Sequence, residues 1–424
     1  ATSTMAPMRV GLATPLLVWL PVVICMAASA PGSTASRAAS VKKPRLLSTA
    51  FEPLSAQEAL IQLAEQTAGV EANDVYGQGH WLQEFELQLA SDFGKEAAMF
   101  FITGVCAQLS ALCVHAGGVG QSAADPLPRM MRPSFLVHAT SHLLLHEEDA
   151  ARKLLGFTPL IAGHRSHPLR AEDAEKDLKR LEAVGCRPAC IVLEVPHREL
   201  GCESVDFDEL VAFRVLADKY QVPLHVDGAR LFEIQPFLGR PLKDIAALCD
   251  SLYISFYKGL GGMTGAALLG RADFVAAASP WRRRLGGNPF TSMPFALSCR
   301  AAYETHAGSF EARWHKLRTL APQLSRTAAS HGGSLRFVPA EPQCCQAHCY
   351  IRGSAEQLDA ARDEVLAELD IKLYNKLRAC GVGPGKDECY FEITVGPNNI
   401  EIPDDVFVHA WSCFFEALQK AESS

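Results

Sequence analysis

Two stretches decide the fold: His225-Val226-Asp227-Gly228-Ala229-Arg230 and Ser255-Phe256-Tyr257-Lys258-Gly259-Leu260-Gly261-Gly262. Each is fed by a short apolar run, Val222–Asp227 and Ser251–Phe256, that reads as a buried strand. Working outward, Ala97–Thr103, Ser134–Ala139, Ala189–Val195 and Gly265–Leu269 read the same way. Between these runs Trp81–Phe93, Val105–Ala116 and Asp206–Tyr220 carry apolar residues at helical spacing. In the last of them Leu210, Val211, Phe213, Val215 and Leu216 are expected to face a sheet, with Asp206 as N-cap. Strands alternating with helices predict an α/β fold with a mostly parallel sheet covered on both faces. Beyond residue 310 the pattern changes to a long helix, irregular strands and a closing helix near Val406–Ala421, which predicts a smaller α+β C-terminal domain. The expected division is an arm at 46–72, a large domain at 73–310 and a small domain at 311–424.

Composition narrows the class. At 424 residues, 48% hydrophobic and 21% charged, the chain can bury a large core, and global disorder is excluded. A net charge of −7 argues against a general nucleic-acid binder. Fourteen cysteines are too few in this length for a disulfide scaffold. The first fifty residues hold no acid and five bases (Arg9, Arg37, Lys42, Lys43 and Arg45), so the rest carries −7 − 5 = −12. Gly11–Ala30 is apolar, follows Arg9 and ends in Ala28-Ser29-Ala30, as signal peptides do; the Ser-, Ala- and base-rich stretch after it has transit-peptide composition. Residues 1–45 therefore read as a targeting leader resembling the bipartite leaders of proteins sent to complex plastids. The alternatives are the secretory pathway or an uncleaved membrane anchor.

Asp227 and Lys258 end two strands, and in an open parallel sheet such ends meet at the ligand crevice. Pyridoxal phosphate needs this pair: a lysine for the Schiff base and an acid beside the ring nitrogen, which lets the ring act as an electron sink. The turn Thr103-Gly104-Val105 leads from a strand into a helix and offers backbone N–H groups to a phosphate. His142, after Ser141, can lay an imidazole against a cofactor ring.

Together these residues resemble the threonine aldolase branch of the pyridoxal-phosphate-dependent β-eliminating lyases. The resemblance runs from about Asn73 to Gly287. It is carried by Asp74-Val75-Tyr76-Gly77, Phe93 to Ala97, Thr103-Gly104, Ser141-His142 with Glu147, Leu193-Glu194 with His197, the two opening stretches and Arg282 to Gly287. It implies the aspartate-aminotransferase-type fold, with active sites shared across a homodimer or homotetramer. It further implies that Lys258 carries the cofactor, Asp227 pairs with its ring nitrogen, His142 stacks on the ring and Gly104-Val105 hold phosphate, with Ser255 beside the lysine. Arg230 is then placed to grip the substrate α-carboxylate, and its planar fork suits that anion. Tyr76 reaches a neighbouring subunit's site. The implied reaction is retro-aldol cleavage of a β-hydroxy-α-amino acid, with His142 as favoured base and His197 as the alternative.

Several positions depart from the family pattern. The N-terminal Arg-Ser-Asp-Thr segment is replaced by Leu46-Leu47-Ser48-Thr49-Ala50, and Ser-Gly-Thr in the phosphate turn by Thr103-Gly104-Val105. Glu-Asn-Thr-His-Asn reads Glu194-Val195-Pro196-His197-Arg198, and the arginine before Val-Thr-His has no counterpart in Tyr390 to Gly396. An acid there, Glu392, would repel a carboxylate unless it points away. The same cofactor supports β-elimination, aminotransfer and racemisation, and a silent binding protein could keep the fold, so these stand as alternatives. Cys344, Cys345, His348 and Cys349 crowd together but lack a second pair at zinc spacing, which favours a structural role over metal. Cys186 and Cys190 read as free thiols, suited to a reducing compartment, and His164 and His167 as exposed loop residues. Arg282 to Arg284 read as a solvated turn or a phosphate or interface contact.

Overall fold

The computed structural model describes residues 43–70, 74–117, 133–379 and 388–423. Most of the expected leader, residues 1–42, lies outside the described residues. A seven-stranded sheet is built from β1 (Ala97–Phe101), β2 (Ser134–His138), β3 (Thr158–Ala162), β4 (Ile191–Glu194), β5 (Leu224–Gly228), β6 (Ser251–Ser255) and β7 (Ala266–Gly270). Its order is β1-β7-β6-β5-β4-β2-β3. Only β7 runs against its neighbours; the pairs β6·β5, β5·β4, β4·β2 and β2·β3 are parallel. The α/β class with a mostly parallel sheet follows directly. β4 to β7 are buried at every position, as strands covered on both faces must be.

Register fixes the site. Glu194 of β4 pairs with Asp227 of β5, and Asp227 with Tyr253 of β6. The carboxyl ends of β1, β2, β4, β5 and β6 therefore lie along one edge. Because β7 is reversed, Thr264, two residues before its start, arrives at that edge too.

Among the helices, α1 (Ala56–Gln66) and α2 (His80–Asp92) precede the sheet, and α3 (Gly104–Gly117) follows β1. Between β4 and β5 lies α4 (Phe207–Tyr220), whose N-cap Asp206 accepts from the Glu209 N–H, as its sequence predicts. It buries Leu210, Phe213 and Leu216, but Val211 is 38% exposed and Val215 62%. The expected five-residue face is thus three residues plus Ala217, because one helix stripe cannot turn consecutive positions inward. Gln221, in the left-handed region, then ends the helix.

Toward the C-terminus stand α5 (Phe310–Ser330), a sheet of β8 (Leu335–Val338), β9 (Gln346–Arg352), β10 (Arg378–Ala379) and β11 (Glu388–Thr394), and the helices α6 (Ala355–Leu369) and α7 (Asp404–Ser423). That sheet has the order β10-β11-β9-β8 and is antiparallel. One apolar cluster runs from Phe85 and Phe256 through Phe310 and Leu317 to Trp411 and Phe414. The N-terminal arm is anchored there as well: Asn399 Nδ2 donates to the Leu47 and Thr49 carbonyls and Asn398 Nδ2 to that of Leu46. No helix among the described residues is long and apolar enough to cross a membrane.

Candidate active site

A cavity of about 150 Å³ lies at the carboxyl edge, lined by Thr103, Gly104, Val105, His142, Glu147, Glu194, Asp227, Ala229, Arg230, Tyr253, Tyr257, Lys258 and Thr264. It adjoins a wider mouth of about 610 Å³ that shares His142, Arg230, Tyr257 and Lys258 and adds Ser48, Thr49, Arg198, Gln346 and Glu392. Residues from six strand ends, distant in sequence, thus converge on one space.

Each wall has a local cause. At the start of α3, Thr103 Oγ1 accepts from the Cys106 N–H; the first N–H groups of a helix otherwise lack intrahelical partners and suit an anion. Gly104 is required there: a Cβ would fall 2.1 Å from Tyr253 Oη, far inside contact distance. Asp227 is buried at the end of β5; its Oδ1 accepts from the Ala229 N–H at 3.1 Å and its Oδ2 from Gln108 Nε2 at 2.6 Å. Burial raises Asp227 to about 7, with the neighbouring Glu194 carboxylate pushing the same way and Lys258 opposing. Burial lowers Lys258 to about 8, assisted by the Arg230 charge. A lysine so lowered has a substantial neutral fraction near neutrality, as a nucleophilic amine needs.

His142 is held at both ends. Its backbone N–H donates to Glu194 Oε2 at 3.1 Å, and its Nδ1 lies 3.2 Å from Glu147 Oε1. A carboxylate on Nδ1 selects the Nδ1–H tautomer and leaves Nε2 as the basic nitrogen. Arg230 Nε donates to Gln346 Oε1 at 2.7 Å. Among the described residues its terminal nitrogens make no hydrogen bond, which leaves the fork for a ligand.

The departures fall around the mouth. Glu392 faces it, with Arg198 Nη2 at 2.6 Å, Arg378 Nη1 at 3.3 Å and His348 Nε2 at 3.7 Å. Burial would raise Glu392, but His348, Arg198 and Arg378 hold it down to about 2. The acid that was expected to repel a carboxylate is therefore neutralised by two guanidiniums. Ser48 and Thr49, of the stretch that replaces Arg-Ser-Asp-Thr, line the same mouth.

Other expected site residues sit elsewhere. His197 is buried, bonded through Nε2 to Thr140 Oγ1 at 2.9 Å, and lines neither space. Its Nε2 also faces the Thr140 carbonyl at 3.2 Å, and its Nδ1 lies 3.9 Å from Glu194 Oε2. Ser255 is buried at the end of β6 and lines neither space. Tyr76 is 42% exposed, packed edge-on to Phe290 and under Arg283, away from this cavity. Arg282 donates to the Phe100 carbonyl and Arg284 covers Trp281. Cys344, Cys345, His348 and Cys349 are all buried at the start of β9, and no metal-holding group of three His, Cys, Asp or Glu occurs among the described residues. Sequence reasoning missed Gln108, Tyr253 and Gln346. Gln108 lies one helical turn after Gly104, a spacing that could have revealed it.

A lysine and an acid in one enclosed cavity, with a Cβ-free turn at its wall, fit pyridoxal phosphate. Residues 57–331 match the family described as beta-eliminating lyase. Low-specificity L-threonine aldolase 1 of Arabidopsis thaliana is 28% identical over 226 residues, 51% of this chain and 58% of that protein. The alanine racemase of Cochliobolus carbonum is 30% identical over 217 residues, 51% of this chain and 52% of that protein. The chain thus spans a little over half the length of these two relatives. The solved structure of a provisionally named L-allo-threonine aldolase from Listeria monocytogenes superposes with a TM-score of 0.76 at 29% identity, over 89% of this chain and 97% of that one. With a matched region covering well over half its length, the chain belongs to the beta-eliminating lyase family of pyridoxal-phosphate-dependent enzymes.

Proposed function

We propose that this protein cleaves a β-hydroxy-α-amino acid of the threonine type into glycine and an aldehyde. The observation that carries this reading is the pairing, at one mouth, of a carboxylate clamp with a base. Arg230 presents its fork there, and His142 presents Nε2 while Glu147 holds Nδ1. Pyridoxal phosphate, when bound, supplies the sink for the electron pair of the breaking Cα–Cβ bond.

The chain's own residues do the rest. Lys258 would be the covalent attachment point, and Asp227 would balance charge at the ring nitrogen. The Gly104 and Val105 N–H groups would receive the phosphate, and His142, on the same wall of residues, would hold the ring. Arg230 takes the α-carboxylate, and His142 Nε2 removes the β-hydroxyl proton. Arg198, neutralised against Glu392 and lining the same mouth, adds a second guanidinium beside the clamp.

Product identification tests the reading. Incubation of the loaded enzyme with L-threonine and with L-allo-threonine is expected to yield glycine and acetaldehyde in equal amounts. A keto acid, or an inverted α-carbon with no aldehyde, would replace the lyase reading with aminotransfer or racemisation.

A further inference from the structure

A row of polar side chains, none of them lining the cavity, leads away from Asp227, and the proposed reaction uses none of them. Gln108 Nε2 donates to Asp227 Oδ2 at 2.6 Å. Gln108 Oε1 lies 2.6 Å from His225 Nε2, and His225 Nδ1 lies 2.7 Å from Ser251 Oγ. Ser251 Oγ lies 2.7 Å from His115 Nε2. Gln108, His225 and Ser251 are at most 1% exposed. Such buried polar groups are costly unless each is satisfied, and here each is.

The direction of the row follows from one end. An ionised carboxylate can only accept, so the Gln108 amide must turn its NH₂ toward Asp227. Its carbonyl then accepts, which puts the proton of His225 on Nε2. A neutral imidazole carries one N–H, so His225 Nδ1 accepts from the Ser251 hydroxyl. The Ser251 oxygen in turn accepts from His115 Nε2–H. Burial lowers His225 to about 3, with the neighbouring His115 pushing the same way, and lowers His115 to about 4, so both rings are neutral at working pH.

We propose that Gln108, His225, Ser251 and His115 form a one-way chain of neutral hydrogen-bond donors that keeps Asp227 ionised and aimed at the ring nitrogen of the cofactor. They are positioning residues and touch no substrate. Aligned donors polarise one another, so the last N–H is a stronger partner for the carboxylate than an isolated amide. The chain works against the burial and the Glu194 charge that favour protonated Asp227. The inference rests on the reading of Asp227 as the ring-nitrogen partner.

The test reads histidine tautomers in the cofactor-loaded full chain by long-range proton–nitrogen NMR on ¹⁵N-histidine label, with His115→Phe and His225→Phe used for assignment. At about pH 8 both His225 and His115 are expected as Nε2–H tautomers, neither titrating down to about pH 6. His225 found with its proton on Nδ1 would overturn the proposal; the tautomers are read in the unsubstituted chain, and the two variants serve only to assign its signals. Gln108→Leu removes one charge-assisted hydrogen bond and is expected to weaken pyridoxal phosphate binding about tenfold. It should also free His225 to sample the other tautomer. Unchanged affinity and tautomer, with only a lower melting temperature, would reduce the row to packing. Failure of the lyase reading would appear in product analysis and leave these tautomers as they are.

Discussion

In the proposed reading, Arg230 is the residue on which substrate recognition turns. Gln346 fixes its Nε and leaves its two terminal nitrogens facing the mouth. Arg230→Lys keeps the charge but loses the planar fork, and is expected to lower kcat/KM about 10- to 100-fold, measured by steady-state kinetics. Cofactor absorbance should be retained, because in the proposed reading the phosphate and ring fall to other residues. Glu392 has the opposite role, as the anion that holds Arg198 and Arg378 in place. Its carboxyl is held at about 2 in the folded chain, against an ordinary 4.5. A depressed carboxyl contributes stability that is full above its unfolded pKa and is lost as pH falls through the folded one. Glu392→Gln is therefore expected to cost on the order of 1–2 kcal/mol near neutrality, after discounting for solvent screening at the open mouth. The melting-temperature gap to the parent should narrow as pH falls below about 4.5 toward 2. A gap that stays constant over that window would mean the pairing carries no net stability.

At the scale of elements, the cofactor phosphate falls, in the proposed reading, to the turn into α3. Gly104→Ala drives a methyl group into Tyr253, so the turn or the tyrosine must move. Pyridoxal phosphate affinity is expected to fall at least tenfold, read by equilibrium dialysis. Val105→Thr restores a hydroxyl at the same turn and is expected to raise that affinity a few-fold, the worth of one hydrogen bond of about 1 kcal/mol. Asp206→Ala, at the start of α4, tests helix capping alone: about 1 kcal/mol of stability lost in denaturant unfolding, with activity per folded molecule unchanged. The strands that build the site were legible because each is a short apolar run buried on both faces. β3 was not: its Thr158 and Ile161 are exposed at the edge of the sheet, so Thr158–Ala162 carries no continuous buried signal. The helix α6 was missed because Ala, Glu, Asp and Leu alternate there with only Leu358, Ala361 and Val365 buried.

At the scale of the whole molecule, convergence makes the site. Asp227 and Lys258 could be read from sequence as strand-end residues, and their position on one edge follows from parallel topology. Gln346 and Glu392 could not be, since they come from a separate antiparallel sheet whose placement no local pattern encodes. His197 keeps the motif's spacing from Glu194, but its contact with Thr140 could not be read from the sequence either. The C-terminal packing that brings Gln346 and Glu392 to the mouth is centred on Trp411, stacked against Phe391 and Tyr374 and 1% exposed. Trp411→Ala is expected to cost about 3–5 kcal/mol in unfolding free energy.

The central claim is lysine-dependent carbon–carbon cleavage, and one measurement addresses it most directly. Aldehyde release from L-threonine and L-allo-threonine would be followed for the pyridoxal-phosphate-loaded chain and for Lys258→Ala side by side. The account predicts steady aldehyde release from at least one of the two by the parent protein and a loss of at least a thousandfold, about 4 kcal/mol, in the variant. A parent that binds the cofactor yet releases no aldehyde from either amino acid, or a variant that matches it, would contradict the account.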